Sequence, residues 1–210
     1  MPDIMKVFAK IDDIEFVELC TEGSGQQIAD AIKNGANANA KYKDGKKTAL
    51  MVAGALNSDP EAIVVLVSAG ADVNAKGEIG LTPLMWAAGG NSNPEAVTAL
   101  VNAGASIDAK NIFGNTPLME AAQNNSNPEV ITTLIKAGAD VNANNNNGWT
   151  PVMLAAARDS VSPEIITILI NARADLKARN CFNKTALDYA KENDRLMDTD
   201  VLKKLEEASW

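Results

Sequence analysis

The sequence predicts an all-α repeat solenoid of about six stacked helix-turn-helix units with β-hairpin fingers between them. One seven-residue phrase recurs five times, beginning at Asn34, Ala69, Ala103, Ala137 and Ala172. The steps from Gly35 to Gly70, Gly104, Gly138 and Arg173 are 35, 34, 34 and 35 residues. Such a period is typical of solenoids, whose units pack only on their neighbours. Hydrophobic residues make up 46% of the chain but aromatic residues only 4%, which suits closely packed helices.

The first helix of a unit is predicted from a threonine that precedes a short apolar segment. Such a threonine recurs at Thr48, Thr82, Thr116, Thr150 and Thr185, and proline follows three of them. A threonine hydroxyl at the N-cap accepts a hydrogen bond from a free backbone N–H, and proline fits the first helical position because it has no N–H to lose. We therefore expect a helix to begin after each threonine.

The second helix of a unit is predicted from a capping residue followed by proline and glutamate, at Asp59, Asn93, Asn127 and Ser162. Its apolar residues keep a helical spacing and predict one buried stripe. The glycine of the recurring phrase then predicts a left-handed helix end. Arg173 replaces that glycine in the fifth phrase. A side chain in that conformation costs roughly 1 kcal/mol, so we expect strain at Arg173.

The two ends of the chain differ from the middle, as terminal units of a solenoid do. Ser24 and Gln27 fit a capping box, and a last helix at about 199–208 carries Lys203, Lys204, Glu206 and Glu207 on its outer side. The spacing of Ile4, Phe8 and Ile11 predicts either an extra N-terminal turn or a frayed segment. We assign 1–12 to that extension and 13–208 to one domain, with units at about 13–40, 41–75, 76–109, 110–143, 144–178 and 179–208.

The repeated unit resembles a known family. The order is Gly-x-Thr-Pro-Leu, then Ala-Ala, an apolar helix and Ala-Gly-Ala-Asp-Val-Asn-Ala, as in 114–143, and it is similar to the ankyrin repeat over about 13–208. The family usually has histidine after Thr-Pro-Leu, where this chain has Met51, Met85, Met119, Met153 and Asp188. Each unit also has one extra residue between its helices. We expect Asn57, Asn91 and Asn125 to take the left-handed conformation there.

Catalysis is not expected, because the chain has no histidine and no Gly-rich phosphate loop. We predict no cofactor and no metal. The net charge of −8 argues against nucleic acid or an anionic membrane as the partner, although Lys41, Lys43, Lys46 and Lys47 form one basic loop. Cys20 and Cys181 lie in the first and last units, too far apart for a disulfide. A cytoplasmic location fits best, and a secreted effector is not excluded.

The resemblance implies that a partner protein binds in the concave groove formed by the first helices and the fingers. Positions that vary within the repeat are the candidates. On the first helices they are Trp86, Glu120, Leu154 and Tyr189, and the next groove-facing positions are 89–90, 123–124, 157–158 and 191–192. On the fingers they are Tyr42, Ile79, Leu81, Ile112, Phe113, Trp149 and Phe182. The alternative is that these finger side chains only stack on one another.

The function expected from this pattern is a non-catalytic protein-protein interaction module. The alternative is a regulatory or inhibitory subunit, or a secreted effector, that blocks a specific enzyme. Residues 48–149 carry three lysines and nine acidic residues, so the expected partner has a basic rim around an apolar centre. The protein itself is expected to be a monomer.

Overall fold

A computed structural model describes residues 11–159, 162–197 and 199–208. Within those ranges the chain forms twelve α-helices: α1 Asp13–Glu22, α2 Gly25–Lys33, α3 Ala49–Leu56, α4 Glu61–Ser68, α5 Pro83–Gly90, α6 Pro94–Asn102, α7 Pro117–Asn124, α8 Pro128–Lys136, α9 Pro151–Ala157, α10 Pro163–Asn171, α11 Ala186–Lys191 and α12 Asp200–Ala208. The turn expected at Ile4 and Phe8 lies outside the described residues.

The helices pack as two rows. The odd-numbered row runs α1, α3, α5, α7, α9 and α11, each helix against the next, and the even-numbered row does the same from α2 to α12. Leu84 and Leu118 of the odd row and Ile131 of the even row are fully buried in the core between the rows. None of the described helices combines the length and the apolar character that crossing a membrane requires. The predicted helical repeat solenoid is confirmed.

Five helices begin at the threonines that the sequence indicates. The hydroxyls of Thr48, Thr82, Thr116 and Thr185 each accept a hydrogen bond from the backbone N–H three residues later, at 3.3–3.4 Å. Thr150 occupies the N-cap of α9 without making this bond, and its buried Oγ1 has no partner among the described residues. The predicted starts are confirmed, with four of the five hydroxyls capping.

The second helices end in the left-handed conformation that the sequence predicts. Gly35, Gly70, Gly104 and Gly138 have φ angles of 95°, 88°, 89° and 94°. Arg173 takes the same place with a φ of 66°. The backbone there has the geometry of a glycine helix end although the residue is an arginine. The expected strain at Arg173 therefore has a structural basis.

The prediction for Asn57, Asn91 and Asn125 was wrong. Their φ angles are −76°, −97° and −88°, so the backbone is extended rather than left-handed. Each side chain is buried instead and reaches the preceding unit. Asn91 Nδ2 donates to the carbonyls of Gly54 at 3.0 Å and Asn57 at 2.9 Å, while its Oδ1 accepts from the N–H of Asn93 at 2.9 Å. An asparagine suits this position because its amide nitrogen donates to the preceding unit while its amide oxygen accepts from the backbone two residues later.

This contact repeats along the solenoid, and we call it the asparagine ladder: Asn57, Asn91, Asn125, Arg158 and Asn193. Asn125 donates to the carbonyls of Ala88 and Asn91, both at 2.8 Å. Arg158 then takes the asparagine's place at the end of α9, and its guanidinium donates to the carbonyl of Asn125. Asn193 Nδ2 donates in turn to the carbonyl of Arg158 at 2.9 Å. The ladder joins each unit to the one before it.

Candidate functional site

The loops that connect one unit to the next form a row along one side of the molecule. We call them the finger loops: 41–47, 77–81, 111–115, 145–149 and 180–184. Each is closed by a backbone hydrogen bond, for example from Asn145 N–H to the carbonyl of Trp149 at 3.0 Å. The described residues contain one isolated antiparallel bridge, between Lys41 and Thr48. Where the sequence predicts β-hairpins, the loops are therefore turns.

Consecutive finger loops are hydrogen-bonded to each other. The N–H of Ile112 donates to the carbonyl of Ile79 at 3.0 Å, and the N–H of Asn146 donates to that of Phe113 at 3.0 Å. The N–H of Cys181 donates to the carbonyl of Asn147 at 2.9 Å. Hydrogen bonds between neighbouring loops therefore hold the backbone of the row in place.

Most of the predicted finger residues are exposed. Ile112, Phe113 and Phe182 have 62%, 53% and 66% of their surface accessible, and Tyr42 and Ile79 are also exposed. Leu81 and Trp149 are partly buried. The exposed members do not stack into a minor core within the chain. They leave an apolar edge of the kind that interaction sites use.

The varying position of the odd-numbered row places Trp86, Glu120, Leu154 and Tyr189 on α5, α7, α9 and α11, and all four are partly buried. Trp149 and Tyr189 pack against the core, whereas Trp86 and Leu154 are not among the described residues that do so. The rings of Trp149 and Tyr189 stack with centroids 4.5 Å apart. Trp149 and Tyr189 therefore take part in packing within the chain.

Glu120 lies at the centre of a network of amide groups. Its Oε1 accepts from Asn111 Nδ2 at 3.2 Å and Asn115 Nδ2 at 3.1 Å, and its Oε2 accepts from Asn124 Nδ2 at 3.2 Å. Asn145 Nδ2 extends the network by donating to Asn115 Oδ1 at 2.8 Å. Burial raises the pKa of Glu120, and the bonds from Asn115 and Asn111 offset part of that rise. The carboxylate is held in one orientation beside the finger loops.

Trp86 lies in a small cavity beside Glu120. The cavity measures about 230 Å³, and its lining includes Leu81, Trp86, Gly89, Glu120 and Asn124. We call it the Trp86 cavity. The Nζ of Lys47 lies 4.8 Å from the centroid of the Trp86 ring, at cation–π distance. The indole Nε1–H is buried and has no hydrogen-bond partner among the described residues.

A second cavity, of about 500 Å³, lies next to the first, and the two share Asn124. We call it the Trp149 cavity. Phe113, Trp149 and Leu154 supply its apolar surface, and Arg158 and several amide side chains complete the lining. The structure thus brings Phe113, Trp149 and Leu154 together, and Trp86 and Glu120 together with Leu81.

The sequence analysis did not predict Asn111, Asn115, Asn145, Asn147 and Lys47 as residues of the site. Asn145 could have been found, because asparagine recurs at Asn111, Asn145 and Asn180, and each of these side chains accepts from two backbone N–H groups of its own finger loop. The contact of Lys47 with Trp86 of the neighbouring unit has no recurring sequence pattern from which it could have been predicted. Only the packing of the units reveals it.

The two cysteines do not line the Trp86 cavity or the Trp149 cavity. Burial raises the pKa of the Cys20 thiol to about 12, whereas Cys181 is an exposed free cysteine on a finger loop. Within the described residues no group of three or more cysteine or acidic side chains could hold a metal ion.

Comparison with known proteins gives one family match. The model described as ankyrin repeats, three copies, matches residues 17–111, 50–145 and 118–207. These matches overlap and together span most of the chain. No curated protein is similar enough to the chain to count as a match.

Proposed function

The chain belongs to the ankyrin repeat family, and on that premise we propose that it is a non-catalytic module that binds another protein through a concave groove and its finger loops. Ankyrin repeats are generally protein-protein interaction modules, and the proposal takes over that role. It includes six units with the boundaries given above. The groove is formed by the odd-numbered row and the finger loops.

The observation that carries the proposal is the row of exposed apolar side chains on hydrogen-bonded loops. Ile112, Phe113 and Phe182 are each more than half exposed. Large apolar side chains exposed along one side of a protein are typical of interaction sites. Because the loops are bonded to one another, a partner that contacts them orders little additional backbone. The entropic cost of binding is correspondingly small.

The charges of the surface suit a basic partner. Residues 48–149 contain three lysines and nine acidic residues. Basic groups around an apolar centre would complement this surface, speed encounter and discriminate against acidic competitors. The proposal further includes a monomeric state, a cytoplasmic location and no binding to nucleic acid or membranes.

Capture of a partner from an extract of the producing cell tests the proposal. The intact protein and a Phe113→Ala/Phe182→Ala variant serve as parallel baits, and mass spectrometry identifies what each retains. Val64→Ala is the matched control, because Val64 is an exposed apolar residue on α4 of the even-numbered row. We expect a protein that the intact bait and the control retain and the double variant loses. Equal capture by all three baits would contradict a role for the finger loops.

If the captured partner is an enzyme, measuring its turnover distinguishes an inhibitor from a scaffold. If the partner is an enzyme whose turnover falls when the intact protein is added in excess, the protein is an inhibitory subunit or effector. If turnover is unchanged, the protein is a scaffold. The Phe113→Ala/Phe182→Ala variant should leave turnover unchanged in both cases.

A further inference from the structure

The two adjacent cavities differ in size and in chemistry. Small-molecule sites usually occupy roughly 300–1,000 Å³. The Trp86 cavity, at about 230 Å³, is below that range and suits a single side chain. The Trp149 cavity is larger, at about 500 Å³, and shares Asn124 with it. The lining of the two cavities comes largely from α5, α7 and α9.

The Trp86 cavity has the chemistry of a site for a cationic side chain. Its lining includes Glu120, whose carboxylate accepts three amide hydrogen bonds. A carboxylate has about four acceptor positions, so one more donor can be accommodated. The Trp86 ring already has the ammonium of Lys47 at 4.8 Å, so its surroundings tolerate a cation. An arginine fits best, because its planar guanidinium both stacks on an aromatic ring and pairs with a carboxylate.

The Trp149 cavity has the chemistry of a site for an apolar side chain on an extended backbone. Phe113 and Leu154 form apolar walls. Gln123 and Asn147 are exposed in its lining, and a carboxamide can both donate to and accept from a peptide group. An apolar side chain would enter between the walls while the amides bind the main chain beside it.

We propose that the two cavities together bind one extended peptide segment of the partner, with an arginine in the Trp86 cavity and a large apolar side chain in the Trp149 cavity. This inference rests on the proposed function and specifies its partner. Glu120 and Leu154 lie on the neighbouring helices α7 and α9. Packed helices lie roughly 8–10 Å apart, and an extended chain advances about 3.3 Å per residue. The arginine and the apolar residue are therefore about three residues apart.

Selection from a library of short random peptides displayed on phage, with the full chain as the immobilised target, tests this inference. We expect the enriched peptides to carry an arginine about three residues from a leucine, phenylalanine or similar residue. Synthetic fluorescein-labelled copies are then titrated by fluorescence polarisation. Glu120→Gln should weaken binding about tenfold. Glu129→Gln is the matched control, because it removes the same charge from an exposed position on α8 and should change nothing.

Two further variants keep the test independent of any disturbance that Glu120→Gln causes in its amide network. Lys47→Ala removes the internal cation at Trp86, so it should tighten binding of the arginine peptide severalfold. Gly89→Ala narrows the Trp86 cavity and should weaken binding. Its new Cβ meets the carbonyl of Glu120 at 3.6 Å and Cβ of Asn124 at 3.7 Å, which are ordinary contacts, so the fold should be retained.

The outcomes separate this inference from the function on which it rests. Peptides that lose affinity with Phe113→Ala but lack a basic residue and ignore Glu120→Gln, Lys47→Ala and Gly89→Ala would overturn the inference and leave the binding function intact. Enrichment of acidic peptides would overturn it as well. Peptides that bind equally to all variants, Phe113→Ala included, or no enrichment at all, would count against both.

Discussion

Replacing Arg173 by glycine should stabilise the protein. Arg173 ends α10 with a φ of 66°, in the left-handed region where its four counterparts are glycines. Its side chain is exposed, so removing it sacrifices little packing. Its backbone bonds do not depend on the side chain: the N–H donates to the carbonyl of Ile170 at 2.9 Å, and the carbonyl accepts from Asn142 Nδ2 at 3.3 Å.

Two opposing terms determine the size of the effect. An L-residue in the left-handed conformation costs roughly 1–2 kcal/mol. Glycine in turn loses more freedom on folding, which costs about 0.5–1 kcal/mol. The net gain in unfolding free energy is therefore about 0.5–1 kcal/mol, and for a chain of this size each kcal/mol shifts Tm by about 2–4 °C. We expect Arg173→Gly to raise Tm by about 1–4 °C.

Thermal unfolding followed by circular dichroism, together with urea denaturation, measures this difference. The matched control is Gly104→Ala. Gly104 has a φ of 89°, and a Cβ added there has nothing within 4 Å, so its cost is confined to the backbone. We expect the control to lose about 1 kcal/mol. If Gly104→Ala loses stability and Arg173→Gly loses it as well, the arginine side chain stabilises the helix end and the strain argument is refuted.

The structure supports three other predictions, on the asparagine ladder, the cysteines and Gly89. Asn91→Ala leaves three backbone groups of the asparagine ladder without their partner, so it should lower the free energy of unfolding by about 2–4 kcal/mol, as measured by urea denaturation. The control is Asn102→Ala, at an exposed position at the end of α6, which should change that free energy by no more than about 0.5 kcal/mol. A thiol reagent should label only Cys181 in the folded protein and both cysteines in urea. Burial raises the pKa of Cys20 from 9.0 to about 12, so the unfolded state loses the thiol proton at a lower pH than the folded state does. The free energy of unfolding should therefore fall as the pH rises from about 9 towards 12. Gly89→Ala should raise Tm, since alanine favours the helix by about 0.5–1 kcal/mol and its Cβ makes no close contact; a lower Tm would indicate a steric clash.

The sequence predicts the local features of the fold well, because they depend on residues close together in the chain. The capping threonines and the Pro-Glu pairs fix where helices begin, since each supplies or spares a hydrogen bond within one turn. The glycine at each helix end fixes where it stops. Thr150 and Ser162 are exceptions: both lie at the predicted N-caps, but neither side chain makes a capping bond. The prediction for α4 was also off by one residue, because its N-cap is Pro60 rather than Asp59.

The sequence does not predict contacts between units in the same way. Asn57, Asn91 and Asn125 were interpreted from their local tendency to adopt the left-handed conformation, yet their amides bind carbonyls 34–37 residues earlier. Arg158 continues the ladder for a reason that also depends on the structure. Helix α9 is one residue shorter than α7, so Arg158 lies at its C-cap, where α7 has Asn125. A local pattern cannot show which residue of the next unit lies opposite.

The candidate site shows the same division. The repeat identifies which positions vary, and the structure places Trp86, Glu120 and Leu154 along neighbouring helices as expected. That Glu120 is held by amides of two finger-loop asparagines depends on distances between loop and helix. So does the stacking of Trp149 on Tyr189.

The groups that hold the repeats together are distinct from most of those that line the proposed groove. The asparagine ladder, the capping threonines and the left-handed helix ends bind backbone groups, so a change at Trp86 or Leu154 leaves their hydrogen bonds in place. Trp149 is different, because it stacks on Tyr189 and packs against the core. Loss of binding in a Trp149→Ala variant would therefore mix a stability effect with a contact effect. Trp86→Ala and Leu154→Ala are the variants in which lost affinity can be assigned to contacts in the proposed groove.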